Sequence, residues 1–230
     1  MSDGDGNQDT SISITDGAEL SSAGERAMQA KYGKTTHALA FYKHQVIDHL
    51  NDTMRAFIAR MEMIFLATTG ATGECHASFR AGHAGFVKSL DAHTLIYPEY
   101  RGNGVLSSLA NISENPHVAL MFVDFSGDQI GLHLSGQARI LENDELLEFL
   151  KQHPAAETVF KDLILSDIMN SDGGHLEHWV KVSVTRAFVH CSKHIPPMAR
   201  LDHEIQWGAK TEPQAHGGDY FAVAHPEKKI

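Results

Sequence analysis

The chain has only two cysteines, Cys75 and Cys191. Two thiols make no disulfide framework, and no CxxC pair is present to hold a structural zinc. Free thiols in a reducing cytoplasm are the expectation. Long apolar runs are also lacking. Met63-Ile64-Phe65-Leu66-Ala67 is about the longest, against the roughly 18 to 20 residues of a membrane span. The first residues have neither the basic nor the apolar segment of a secretory signal. Basic residues are outnumbered, and the net charge of −10 excludes a general nucleic-acid binder, which needs cations to displace counterions from phosphates. There is no zinc-protease helix motif and no Gly-x-Ser-x-Gly elbow, so a hydrolase lacks a nucleophile. Gly33-Lys34-Thr35-Thr36 has the tail of a phosphate-binding P-loop. Its leading glycine is missing, because that position is Met28.

What is present is a 230-residue chain, 42% hydrophobic and 21% charged, which is ample for a globular core. Six acids and no base fall in residues 1–25, which read as a disordered acidic tail. Residues 201–230 carry Gly217-Gly218, two prolines and few periodic apolar positions. They read as an irregular arm packed on the body. No repeat or linker divides residues 26–200, so one domain is expected there.

Apolar spacing predicts a helix over Asp48–Arg60, a strand over Met63–Thr69 and a returning strand over Glu74–Phe79. A hairpin is expected from Phe86–Leu90 and Thr94–Tyr97, then a short helix over Val105–Ser113 that stops before Asn115-Pro116. His117–Phe125 and Ile130–Leu141 read as paired strands. Asn143 reads as the N-cap of a helix to Leu150, a second helix is expected over Ala156–Ser166, and Trp179–Cys191 reads as the last long strand. Strands joined by tight turns predict a mainly β, α+β fold: an antiparallel barrel with helices at its rim.

The chemistry concentrates between residues 74 and 136. A strand ending in Ser78-Phe79-Arg80 runs into glycines. A loop with Arg101, Gly102 and Asn103 leads into a helix carrying Ser107, Ser108 and Asn111. Hydroxyls, an amide, arginines and a helix N-terminus suit a phosphate group, and glycines let a ligand approach the backbone. The sixteen histidines invite a metal reading. His175-Leu176-Glu177-His178 and Cys191-Ser192-Lys193-His194 have ligand-like spacing, but neither supplies the three or four convergent ligands that zinc requires, and no metal is expected.

This stretch resembles the pyridoxamine 5′-phosphate oxidase-like family of FMN-binding split β-barrels, over about residues 45–195. The branch it is most similar to has Ser-aromatic-Arg-Gly-Gly, then Gly-Phe-Val, Gly-Asn, Ser-Leu-x-Asn-Ile and Asn-Pro. They correspond here to Ser78-Phe79-Arg80-Ala81-Gly82, Gly85-Phe86-Val87, Gly102-Asn103, Ser108-Leu109-Ala110-Asn111-Ile112 and Asn115-Pro116. The resemblance implies a homodimer with FMN held between subunits in the 26–200 domain. Ser78, Phe79 and Arg80 would lie along the flavin. Pro98, Tyr100 and Asn103 would border the ring and ribityl chain. Ser107 would contact the phosphate, and Asn111 matches a further motif position. In the true oxidases an Arg-Lys pair starts the short helix and an Arg-x-His motif grips the substrate. Here Ser107-Ser108 stands in the first place, and Arg-x-His is absent from the sequence.

The implied activity is an FMN-dependent oxidoreductase acting on a small organic substrate other than pyridoxamine phosphate, with NAD(P)H or a redox protein as electron donor. Arg80, Arg101 and Lys88 are candidates to stabilise reduced flavin. His76, His83 and His133 are candidates for proton transfer, His76 and His133 foremost. Two alternatives stay open. One is a haem-binding or haem-degrading split barrel, using His194, His203 or His216. The other is a non-catalytic flavin-binding protein.

Overall fold

The computed structural model describes residues 20–153, 176–201, 221, 223 and 224. The elements run α1 (Ala23–Lys31), α2 (Thr35–Gln45), β1 (Val46–Ile47), α3 (Asp52–Ile58), β2 (Met63–Thr69), β3 (Cys75–Ala81) and β4 (Lys88–Ser89). They continue with β5 (Thr94–Tyr100), α4 (Ser107–Glu114), β6 (His117–Val123), β7 (Gly131–Leu141), α5 (Asn143–Lys151) and β8 (Leu176–His190).

The strands form one eight-stranded antiparallel sheet in the order β3-β2-β6-β7-β8-β5-β4, with β1 also on β8. Strand β8 is fifteen residues long and organises the whole. Its first half pairs with β5, its end pairs with β1, and nearly all of it pairs with β7. The sheet curls without closing, with β3 and β4 as its edges among the described residues. The architecture is an α+β split barrel.

Period-2 burial shows how the sequence selects the inner face. On β2, Ile64, Leu66 and Thr68 are buried while Phe65 and Ala67 are exposed. The main core collects Ile64, Leu66, Leu95, Tyr97, Leu120, Phe122, Leu134 and Val182 with Ile58 of α3 and Leu109 and Ile112 of α4. A second cluster seats α5, through Leu146 and Leu150, against Leu90, Ile96, Leu141 and Trp179. Full burial of each such side chain contributes about 1.5–3 kcal/mol.

Several expected boundaries shift for local reasons. The helix expected over 48–60 is only Asp52–Ile58, because Asn51 caps it through Met54 N–H and Val46-Ile47 pairs with β8. The N-cap of α5 is Glu142, not Asn143. Glu142 and Glu145 form a reciprocal capping box, while Asn143 Oδ1 accepts from Trp179 Nε1 at 3.1 Å. Of the expected Phe86–Leu90 strand, only Lys88–Ser89 pairs. The tail expected over 1–25 gives way to structure at its end, where Ser22 and Glu25 box the start of α1.

Helices α1 and α2 were not expected. They bury little, Tyr42 alone among their residues, so no apolar stripe announces them. They dock through side chains: Phe41 packs edge-on to Phe188 at 5.9 Å, and the Arg186 guanidinium lies over the Tyr42 ring at 5.6 Å. The helix expected over 156–166 lies outside the described residues, as does most of the 201–230 arm.

Candidate functional site

Among the described residues strand β3 pairs on one side only, with β2. Its alternation sends His76, Ser78 and Arg80 one way and Cys75, Ala77 and Phe79 the other. The first set faces a cleft of about 360 Å³, within the size range of small-molecule sites. Glu99 of β5 faces it from the other side. Gly102, Asn103, Gly104 and Leu106 form its lip, and Ser107, Ser108 and Leu109 of α4 form its end.

The chain enters α4 in an unusual way. Gly104 has φ +79 and Leu106 φ +56, a left-handed conformation that disfavours a branched side chain. Asn103 Oδ1 supports the bend by accepting Val105 N–H at 3.0 Å. Helix α4 has Leu106 as its N-cap residue, whose side chain cannot cap it, and no side-chain cap is made among the described residues. Its first-turn N–H groups, with the positive end of the helix dipole, are left for an anion or water.

Beside that helix end lies a chain of hydroxyls. Ser108, 3% exposed, has its Oγ 3.1 Å from Ser78 Oγ and 3.3 Å from His76 Nδ1. A hydroxyl both donates and accepts, so this chain can present a proton or a lone pair to a ligand. At the opposite end, Arg80 Nε donates to both carboxylate oxygens of Glu99, at 2.8 and 2.9 Å, and Nη1 donates to the Phe79 carbonyl at 3.0 Å. Glu99 is only 6% exposed. Behind this pair sits Tyr97. Burial pushes its ionisation above the ordinary tyrosine range, and the Glu99 charge adds to the effect, with Arg80 opposing it. Its hydroxyl is buried without a hydrogen-bond partner among the described residues.

Of the residues read as cofactor contacts, Ser78, Arg80, Asn103 and Ser107 border the cleft, as does His76. The others do not. Phe79 stands on the opposite face of β3, 51% exposed, and packs edge-on to Phe65 at 5.7 Å. Pro98 is buried and Tyr100 half-buried on β5. Neither is among the cleft residues. Asn111 points toward β2, where its Nδ2 donates to Thr68 Oγ1 at 3.0 Å, and it is not among the cleft residues.

His133 lies elsewhere, with Nε2 2.8 Å from His190 Nδ1 and its ring stacked on Phe188 at 4.8 Å. Burial and the neighbouring His190 hold it below the ordinary histidine range. Lys88 is buried, with Nζ 3.4 Å from the Gly85 carbonyl, and neither it nor Arg101 borders the cleft. His194 is exposed, while His203 and His216 lie outside the described residues.

Sequence reasoning missed Glu99 and gave no role to Leu106. The available signal for Glu99 was its parity with Leu95 and Tyr97, which puts it on the face of β5 that meets the main core.

Among the described residues no helix is long and apolar enough to cross a membrane, and no three His, Cys, Asp or Glu side chains are grouped to hold a metal ion. None of the curated proteins matches the chain. Three solved structures illustrate its likenesses. HupZ of Group A Streptococcus is 21% identical, covers 61% of this chain and 93% of its own, with a TM-score of 0.42. HutZ, the haem storage protein of Vibrio cholerae, is 17% identical over 61% and 94%, TM-score 0.41. An FMN-binding protein of Syntrophomonas wolfei is 13% identical over 61% and 88%, TM-score 0.38. The family model described as pyridoxamine 5′-phosphate oxidase matches residues 50–191. That span is more than half of the chain and contains every strand, loop and helix that borders the cleft, and the chain belongs to the pyridoxamine 5′-phosphate oxidase family.

Proposed function

We propose that the cleft holds FMN and that the protein is an FMN-dependent oxidoreductase acting on a small organic substrate. The observation that carries this reading is the pairing, at one end of the cleft, of the uncapped α4 N-terminus with the Ser78–Ser108 hydroxyls. Backbone N–H groups, hydroxyls and a helix dipole are the donor set for a terminal phosphate, and the residues present fit the group. Bound there, FMN supplies hydride and single-electron transfer, and NAD(P)H or a redox protein would be the electron donor.

The chain's own residues bind and orient. Ser107 and the first turn of α4 hold the phosphate end. Leu106, whose side chain borders the cleft, covers an apolar part of the ligand. His76 shares a proton with Ser108 and can pass it to a group in the cleft. Pyridoxamine phosphate is disfavoured as substrate. Ser107-Ser108 begins α4 where the oxidases carry Arg-Lys, and Cys191-Ser192-Lys193-His194, which follows β8 in place of Arg-x-His, is exposed and not among the cleft residues.

A second copy of the chain belongs to the reading, with the cofactor at the subunit interface. Phe65 and Phe79, directly paired across β2 and β3, are 38% and 51% exposed, and Val105 and Leu106 on the lip are 67% and 49% exposed. Apolar side chains so placed suit a self-complementary contact. The competing reading is haem, and His76 favours it as an imidazole bordering the cleft.

The deciding experiment is the visible spectrum of the purified protein, taken as isolated, after FMN and desalting, and after haem. A two-banded flavin spectrum that survives desalting is expected. An intense haem band with no retained flavin would overturn the FMN reading in favour of haem. Uptake of neither would remove both. With flavin bound, oxidation of NADH or NADPH separates an enzyme from a flavin carrier.

A further inference from the structure

Arg80 and Glu99 meet across the split of the barrel. One lies on the edge strand β3 and the other on β5, near the opposite end of the sheet. Arg80 is the obvious cation of the cleft, yet its Nε spans both Glu99 oxygens and its Nη1 is turned back onto the Phe79 carbonyl. Its charge is therefore met by a carboxylate that water scarcely reaches, since the Glu99 side chain is 8% exposed. An anion entering the cleft meets a near-neutral pair at this end and the N–H groups of α4 at the other.

We propose that Arg80 acts through Glu99 as a positioning residue, and that Glu99 sets the selectivity of the cleft. The pair gives the cleft a polarity. A single anionic group is accepted at the α4 end and disfavoured beside Glu99. This rests on the FMN reading, and FMN has that form: one phosphate at one end of an otherwise uncharged molecule. The inference inverts the usual expectation for an arginine in a phosphate-binding cleft. Removing Arg80 does its damage by stripping the guanidinium from a buried carboxylate, whose charge then repels the anionic ligand. Removing the carboxylate as well relieves that repulsion.

The test is a titration by flavin fluorescence, with FMN and with riboflavin, of the wild type, Arg80→Ala, Glu99→Gln and Arg80→Ala/Glu99→Gln. Breaking one half of such a pair is costly while replacing both halves is often neutral. Arg80→Ala is therefore expected to weaken FMN by about tenfold or more and uncharged riboflavin by less, shrinking the preference for FMN. The double variant returns FMN to within about threefold of wild type. Glu99→Gln alone leaves the guanidinium its charge and tightens FMN. The double variant set against wild type decides the matter even where Arg80→Ala fails to fold. A double variant as weak as Arg80→Ala would mean that Arg80 grips the anion directly, and a Glu99→Gln variant that loses FMN would mean that Glu99 itself holds the ligand; in either case the inference falls while the FMN site stands. A wild type that binds neither flavin overturns the FMN reading and this inference with it.

Discussion

Asp124, the residue after β6, should be one of the most costly single carboxylates to lose. Its Oδ1 accepts N–H bonds from Ser126 at 3.1 Å and Gly127 at 2.7 Å, and its Oδ2 accepts one from Asp128 at 3.0 Å. Arg60 Nη2 lies 3.3 Å from Oδ2, and the Asp124 side chain is 8% exposed. The whole β6–β7 turn is folded around this carboxylate. Burial pushes its pKa up, but the three N–H groups and the Arg60 charge outweigh that and hold it below the usual carboxylate range. In Asp124→Asn, Oδ1 can keep its two bonds. The amide nitrogen then faces the Asp128 N–H, a donor against a donor. One charge-assisted hydrogen bond is lost, worth about 1.5–3 kcal/mol. The Arg60 attraction is lost too, worth less than about 1 kcal/mol because Arg60 is half exposed.

The expected loss of stability is about 3 kcal/mol near neutral pH. A depressed pKa contributes stability that is present above the unfolded value, about 3.9, and disappears as pH falls through the lower folded value. The gap between wild type and variant must therefore close on acidification. Urea unfolding followed by far-UV circular dichroism, from pH 7 down to the acid limit of the fold, measures it. A gap below about 0.5 kcal/mol at pH 7, or one that stays constant below the unfolded pKa, would refute the reasoning.

Two further substitutions probe the ladder and the cleft. A Cβ on Gly136, at the bulge between β7 and β8, would run into the Ser183 carbonyl oxygen, whereas one on Gly102 would meet nothing within 4 Å among the described residues. Gly136→Ala should cost about 3 kcal/mol or more because backbone, not a movable side chain, is in the way, and Gly102→Ala less than about 0.5 kcal/mol; equal melting temperatures would contradict this. Ser108→Ala removes the oxygen between Ser78 and His76. It should weaken FMN about fivefold, the equivalent of one neutral hydrogen bond, as read by fluorescence titration; unchanged affinity would take the hydroxyl chain out of the site.

Strands β2, β6 and β7 were legible because each is half-buried and writes much of its burial as alternation. Ile64, Leu66 and Thr68 inside against Phe65 and Ala67 outside is a pattern that only a sheet with one inner face requires. Helix α5 was legible for the same reason at a different period, through Leu146 and Leu150. Helices α1 and α2 wrote nothing of the kind. Two ring contacts hold α2 to the sheet, and the Tyr42 hydroxyl, which accepts from Gln29 Nε2 at 2.9 Å, ties α1 to α2. Contacts between residues far apart in sequence leave no local period.

The same distinction governs the site. The composition of residues 74–136 pointed to a phosphate-binding cleft because Ser78, Arg80, Asn103, Ser107 and Ser108 are each of a type that carries hydrogen bonds, and strand parity brings the first two to one face. Parity also assigns Phe79 to the other face, and a family motif hides this by running both faces together as consecutive letters. Arg80 is the instructive case. Read alone, it is a cation beside glycines and hydroxyls, and its charge belongs to the ligand. The fold brings Glu99 from nineteen residues away in sequence to within 2.8 Å, and the charge belongs to Glu99 instead. A residue's type is local and survives in the sequence, whereas its electrostatic partner is fixed by the curl of the sheet. Charge assignments read from a motif are thus the first to need a structure, and hydroxyl and backbone donors, which need no counterion, the last.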